Sequence, residues 1–295
     1  MIGIKEFNKK ITSLKNTQKM TKTMKMVSAS KFKRAHKAQI SAEDYAHKLT
    51  ELMGRLSSSG PTNHPLLKTK RAVTRGLVVL FTSDKGLCGG FNNNLIRKTR
   101  HWIQENPYKY TNIAMSFCGR RGFMSFRRTA NIHKYYENIT LKPDFEDALE
   151  VASDITDSFI KGEHEEIYLA YNRFDGPITQ TPVIEKILPI DASVFTTSET
   201  TNPGPKIPKS QDYSYEPEEK ELLYFLIPKF LNFKIFFTLL ENAAGEHGAR
   251  MSAMDKASQN TVDLIHRYTL IRNRARQAAI TTELIEIISG AEALK

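Results

Sequence analysis

The chain has 295 residues, 40% of them hydrophobic, and carries 43 Lys and Arg against 32 Asp and Glu, a formal charge of +11. Such a composition excludes a disordered tail and a collagen-like polymer, and the charge favours an acidic partner: nucleic acid, an anionic membrane face or acidic protein loops. Two cysteines, Cys88 and Cys118, in no CxxC pair and with no secretory signal ahead of them, point to a reducing compartment and exclude a disulfide framework.

The basicity is concentrated at the start. Lys5 to Lys37 holds eleven Lys or Arg against Glu6 alone, a pattern that resembles a transit peptide but runs on as helix past Leu52, so it reads as mature structure. Between Ile4 and Met53 there is neither Gly nor Pro, and Gly3 and Gly54 bracket the run. This predicts one helix of about fifty residues, roughly 75 Å long. Apolar or small residues at Ile4, Phe7, Ile11 and Leu14, then at Ala38, Ala42, Tyr45, Leu49, Leu52 and Leu56, alternate spacings of three and four and form a coiled-coil seam. From Asn16 to Lys22 the seam is interrupted: Gln18 and Thr21 occupy core positions, and the stripe is expected to resume displaced at Met20, Met24 and Val27.

After a break at SSSGPTNHP the grammar changes to short apolar runs. Gly76 to Phe81, Ile113 to Cys118, Ile167 to Tyr171 and Val183 to Ile190 read as strands, with helices at Asn94 to Gln104 and Phe145 to Lys161. The alternation predicts a Rossmann-like α/β domain with a mostly parallel sheet over 74–195. A polar, Pro-containing linker over 196–211 follows, and Glu216-Pro217-Glu218-Glu219 suits the first turn of a second long helix within 212–295. Its seam is expected at Met254, Ala257, Thr261, Leu264, Tyr268, Ile271, Ala275, Ala278, Thr282 and Ile285, beyond a kink at Pro228. Long helices at opposite ends, the first over 1–58, invite antiparallel pairing, so the fold class is α+β: a terminal coiled coil plus a central α/β domain. Leu222 to Leu240 is the most membrane-like stretch, but Lys229 and Lys234 would each cost roughly 2.5 to 3.5 kcal/mol at a bilayer centre. No transmembrane segment is expected.

Three chemical readings follow from the residues. TSDKGLCGGFN, Thr82 to Asn92, sits between a strand and a helix where phosphate loops sit, yet it matches neither GxGxxG nor GxxxxGK[ST]. Cys88 has Lys85 nearby but no His close in sequence, and the eight histidines form no HExxH pair. The basic first helix could bind nucleic acid, though no aromatic platform accompanies it. An NTP-handling α/β enzyme and a basic coiled-coil nucleic-acid binder therefore stand as alternatives, with no catalytic, cofactor-binding or metal-ligating set expected.

Three motifs coincide in order: ITSLKNTQKMTKTMKMVSASKFKRA (Ile11 to Ala35), TSDKGLCGGFN, and ARMSAMDKA with NRARQAAITTELIEIISGAEAL. Together they resemble the gamma subunits of F-type ATP synthases over the whole chain, including the C-terminal signature Ile280-Thr281-Thr282-Glu283, Glu286 and Gly290-Ala291. The resemblance implies a non-catalytic rotor shaft of a proton-translocating synthase, one copy inside three alpha and three beta subunits. Its α/β domain would meet an epsilon-type subunit and the membrane c-ring, and no nucleic acid would be involved. It implies beta-subunit contacts at Met24, Lys25, Lys85, Cys88, Arg250, Arg276 and Gln277, and a bearing tip at Ala291, Ala293 and Leu294. Arg272 stands where many members carry an aromatic residue before Asn273, and Phe123 to Tyr135 is unusually basic and aromatic. The plastid members' extra cysteine pair is missing, so thiol regulation is not expected. A start at Met1 without a presequence suggests the cytoplasmic face of a bacterial inner membrane, ahead of a mitochondrial inner membrane on its matrix side.

Overall fold

The computed structural model describes residues 4–57, 64–69, 73–106, 109–191 and 218–292. The proposed linker at 196–211 lies outside them. Two compact units emerge, one of Met1–Ser30 with Arg250–Lys295 and one of Lys31–Ala249. The two terminal helices each contribute to both.

In the larger unit a five-stranded sheet runs in the order β3-β2-β1-β4-β5, with β1 Arg75–Phe81, β2 Asn112–Cys118, β3 Asn131–Tyr136, β4 Glu166–Phe174 and β5 Gln180–Leu188. β1 pairs parallel with β2 and β4, β2 pairs parallel with β3, and β5 joins antiparallel. Central β1 is buried on both faces, which is why it reads as an unbroken apolar run. Helices α2 (Phe91–Glu105), α3 (Arg120–Phe126) and α4 (Phe145–Lys161) make the crossovers. Successive steps from β1 to β3 put α2 and α3 on one face, where Val78 and Leu80 meet Leu95 and Phe126. The return from β3 to β4 puts α4 on the other, with Leu77, Val79 and Phe81 against Val151 and Ile155. One handedness of crossover yields both placements.

The α4 face is completed by α1 (Ile4–Ser57) through Leu49, Met53 and Leu56, and by α5 (Glu219–Glu292) through Leu223, Ile227, Leu231, Ile235 and Leu239. By length and composition α5 could cross a membrane. In the fold its four-residue ladder from Leu223 to Leu239 is 0–3% exposed against the sheet core. α5 continues through Pro228, which leaves the carbonyl of Tyr224 without its usual helical partner.

Several boundaries differ from the sequence reading. α1 does not stop at Gly54 but runs to Ser57, because burying Met53 and Leu56 to 0% and 2% exposure outweighs the roughly 1 kcal/mol cost of a helical glycine. α3 and β3 are additional elements, lying in the basic, aromatic stretch. There Phe123 stacks on Tyr135 with centroids 4.4 Å apart and Arg100 lies over Phe126, so the charges mask an ordinary apolar face.

In the smaller unit α1 and α5 run antiparallel: Lys25 meets Asp255, while Asn8 meets Arg272 and Phe7 meets Tyr268. The expected displacement of the α1 seam does not occur. The inward side chains are Ile4, Phe7, Ile11, Leu14, Gln18, Thr21, Lys25 and Ser28, an unbroken three-four repeat, whereas Met20, Met26 and Val27 are 52–60% exposed. A straight helix shifts its seam only where the spacing changes, and here polar residues simply fill the inner positions. Thr21 is 8% exposed and its hydroxyl donates to the Gln18 carbonyl. On α5, Leu264 and Ala278 face out while Ile265 and Ala279 are half-buried, and every described side chain from Ile280 to Ala291 is exposed, so Thr282 and Ile285 belong to no seam. In α1 of the larger unit the same repeat buries Gln39 and leaves Ala38 and Tyr45 exposed.

Candidate functional site

The loop Thr82–Asn92 leaves the C-terminal end of central β1 and is held from within. The Ser83 amide donates to Asn92 Oδ1 at 2.9 Å, and Asn92 Nδ2 donates to Ser83 Oγ at 2.7 Å and to Cys88 Sγ at 3.1 Å. Asp84 accepts from the Arg120 amide and from Thr140 Oγ1, pinning the loop to the neighbouring connections. Gly119, with φ of 108°, closes against it: a Cβ there would lie 2.1 Å from the Thr82 carbonyl oxygen. Four buried hydrogen-bonding groups thus spend their capacity on shaping a turn.

Within that turn Cys88 is 2% exposed and holds the loop from inside. Lys85 is exposed, and Leu87, in a left-handed conformation with φ of 65°, is turned outward to 63% exposure. Sequence reasoning passes over Leu87 because a lone leucine in a glycine-rich loop reads as packing. The flanking glycines were the available signal, since left-handed backbone is what reverses a side chain here.

In an open α/β sheet the crevice beyond the strand ends, where the strand order reverses, is the usual ligand position. Between β1 and β4 that crevice is filled by residues 241–248 of α5. Asn242, 0% exposed, donates to the Thr82 carbonyl; Gly245 lies against Phe91; Gly248 lies against Pro177. A Cβ on Gly245 would come within 2.9 Å of the Phe91 ring. Glu241 also sits there, accepting from the Phe174 amide, and its burial pushes its carboxyl up to about 7, against the partial relief of that bond and of Lys234. The loop's phosphate-site position is therefore a helix-docking position.

In the helix pair Lys25 Nζ lies 2.6 Å from Asp255 Oδ1, both side chains remaining 42% and 60% exposed. Met24 and Arg250 are half-buried beside the seam. Arg272 takes an inward position, reaching Asn8 Oδ1 at 3.4 Å and Asn273 Oδ1 at 3.1 Å, so a guanidinium occupies the place of the expected aromatic ring. Arg276 and Gln277 are exposed, one turn before the stretch in which α5 carries on alone. There Ile280, Leu284, Ile285, Ile287 and Ile288 are 50–68% exposed. Ala291 is exposed, while Ala293 and Leu294 lie outside the described residues. Together with the outward Met20, Met26 and Val27 these form apolar surfaces that the sequence seam, read as displaced, conceals.

A family profile described as ATP synthase matches residues 3–294. Among curated relatives, the chain is 40% identical to an ATP synthase gamma chain of Geobacter sp. (strain M21) and 41% identical to one of Geobacter metallireducens, each over 100% of both chains. An ATP synthase gamma chain of Anaeromyxobacter sp. (strain Fw109-5) is 40% identical over the full length of both. Among solved structures, a chain of the Euglena gracilis mitochondrial ATP synthase OSCP/F1/c-ring assembly aligns with a TM-score of 0.64 at 19% identity, covering 99% of this chain and 94% of that one. A chain of the Tetrahymena thermophila mitochondrial ATP synthase central stalk and c-ring aligns at 0.56 and 22% identity, covering 81% and 99%. At those identities the structural likeness concerns the fold, and it is the full-length sequence matches that place the chain in the ATP synthase gamma-chain family.

Proposed function

We propose that this chain is the central rotor shaft of a proton-translocating F-type ATP synthase, coupling c-ring rotation to conformational change in the beta subunits that make and hydrolyse ATP. The observation that carries the reading is end-to-end identity of about 40% with ATP synthase gamma chains, with neither sequence left over. The chain supplies no catalytic group: it works by presenting a different face to each surrounding site as it turns. A ligand or a surface shifts a conformational equilibrium only by its differential contact energy with the two states, so an asymmetric helix pair suffices to order three sites in sequence.

In this reading the partners are three alpha and three beta subunits around one copy, an epsilon-type subunit and the c-ring, on the cytoplasmic face of a bacterial inner membrane. The 1–58 and 212–295 segments are assigned to the shaft and 74–195 to the α/β domain. Met24, Lys25, Arg250, Arg276 and Gln277 meet beta subunits along the shaft. Lys85 and Cys88 do so from the loop, with the outward Leu87 between them. Ala291, Ala293 and Leu294 belong to the bearing tip, and the exposed isoleucines before them favour an apolar sleeve as its surroundings. An arginine at position 276 suits a carboxylate acceptor, because a guanidinium makes directional, charge-assisted bonds.

Reconstitution with alpha and beta subunits tests the proposal directly. One copy per hexamer and restored ATPase activity are expected; hexamers that turn over equally well without the chain would overturn it. Arg276→Ala should lower coupled ATP synthesis while leaving the fold, followed by circular dichroism, unchanged.

A further inference from the structure

His133 on edge strand β3 and His164 in the turn after α4 are thirty-one positions apart in sequence, yet their rings meet with centroids 5.2 Å apart and planes at 88°. Glu163, exposed and adjacent to His164, completes a trio whose ligand atoms all lie within 4.8 Å of one another. Each imidazole is oriented from behind. His133 Nε2 lies 3.2 Å from Asp154 Oδ2, a carboxylate that also accepts from the Tyr136 hydroxyl, and His164 Nδ1 lies 2.6 Å from Ser158 Oγ. Among the described residues, His133 Nδ1 and His164 Nε2 have no hydrogen-bond partner, so each ring keeps one nitrogen for another ligand.

We propose that His133, His164 and Glu163 form a Zn2+ site, with water at the fourth position. Two imidazoles and one carboxylate suit Zn2+ or a neighbouring transition metal, whereas Mg2+ and Ca2+ require oxygen donors throughout. A tetrahedral ion with bonds of about 2.0–2.2 Å spaces its ligands about 3.4 Å apart, so the trio must close by up to about 1.4 Å. The exposed Glu163 side chain has the freedom to do this. Asp154 behind His133 supplies the carboxylate–histidine–metal relay that fixes ring orientation in such sites. The ion would tie edge strand β3 to the α4–β4 turn.

Calorimetric titration of the full-length chain with Zn2+ tests this, with Co2+ absorption as a geometric readout. One ion per chain is expected, with the intense visible bands of tetrahedral cobalt. His133→Ala should weaken binding at least tenfold, and Glu163→Gln and Asp154→Asn about tenfold each. These three side chains are partly or fully exposed, so the variants should keep the wild-type circular dichroism, which His164→Ala, at a buried position, risks losing. Equal Zn2+ affinity and stoichiometry in wild type and His133→Ala would overturn the site, as would no binding by wild type or equal affinity for Mg2+.

Discussion

The same heptad repeat along α1 lines two different environments. In the larger unit its inner positions Leu49, Met53 and Leu56 are 0–6% exposed, backed by α4, α5 and a whole sheet face. In the smaller unit one helix faces one helix, and the inner positions include Gln18, Thr21, Lys25 and Ser28. A sheet-backed position removes a side chain from water on every side, so only apolar groups are stable there. A two-helix seam stays within reach of solvent, and a hydroxyl that bonds its own helix, as Thr21 and Thr261 do, costs little. A pair built this way is stabilised by fewer buried apolar groups than the sheet-backed segment.

The largest effect should come where the larger unit leaves no room. Gly119→Ala forces a Cβ into the Thr82 carbonyl from a left-handed backbone and should cost about 3 kcal/mol or more in urea unfolding. Met53→Ala, at a site with 0% exposure, should cost about 3 kcal/mol, whereas Ile11→Ala in the helix pair, at 6% exposure, should cost about 2 kcal/mol. Its mark should be faster amide exchange confined to the paired segments, and equal losses at the two sites would erase the contrast drawn here.

Glu241 gives a pH-dependent version of the comparison. Unfolded, its carboxyl loses its proton near the ordinary 4.5; folded, burial holds the proton to about 7, with Lys234 and Arg173 opposing and Glu185 reinforcing. Folding takes up a proton between those values, so this contribution is fully present below about pH 4.5 and is lost as pH rises through 7. Glu241→Gln should flatten that slope and gain about 2 kcal/mol at pH 8, read from denaturation midpoints across the range. The smallest effect belongs to Lys25→Ala: both partners of the Lys25–Asp255 pair are largely exposed, so stability should change by about 0.5 kcal/mol or less. Any larger effect of that variant on coupled ATP synthesis would then report a contact with a partner.

Much of this was legible from the residues. The absence of Gly and Pro over Ile4 to Met53, the alternation of β and α segments, and the α4 boundaries, set by Asp144 capping and left-handed Gly162, all follow from local rules. Lys85, Arg276 and Gln277 could be named because motifs mark them, and all three reach the surface. Cys88 could not be placed, since its burial is decided by Asn92 and Ser83 folding the loop back over it. α3 and β3 were hidden because charged residues dominate a stretch whose aromatic rings do the packing.

Sequence by itself determined the two long helices, the α/β character of the middle and the family, because helix continuity, strand patterning and motif order are carried by neighbours along the chain. Tertiary structure alone decided which heptad face turns inward at Gln18 and Thr21, that α5 fills the sheet's switch-point crevice, and that His133 comes to meet His164. Each of these depends on what a distant segment buries or leaves to water, and no local spacing encodes that.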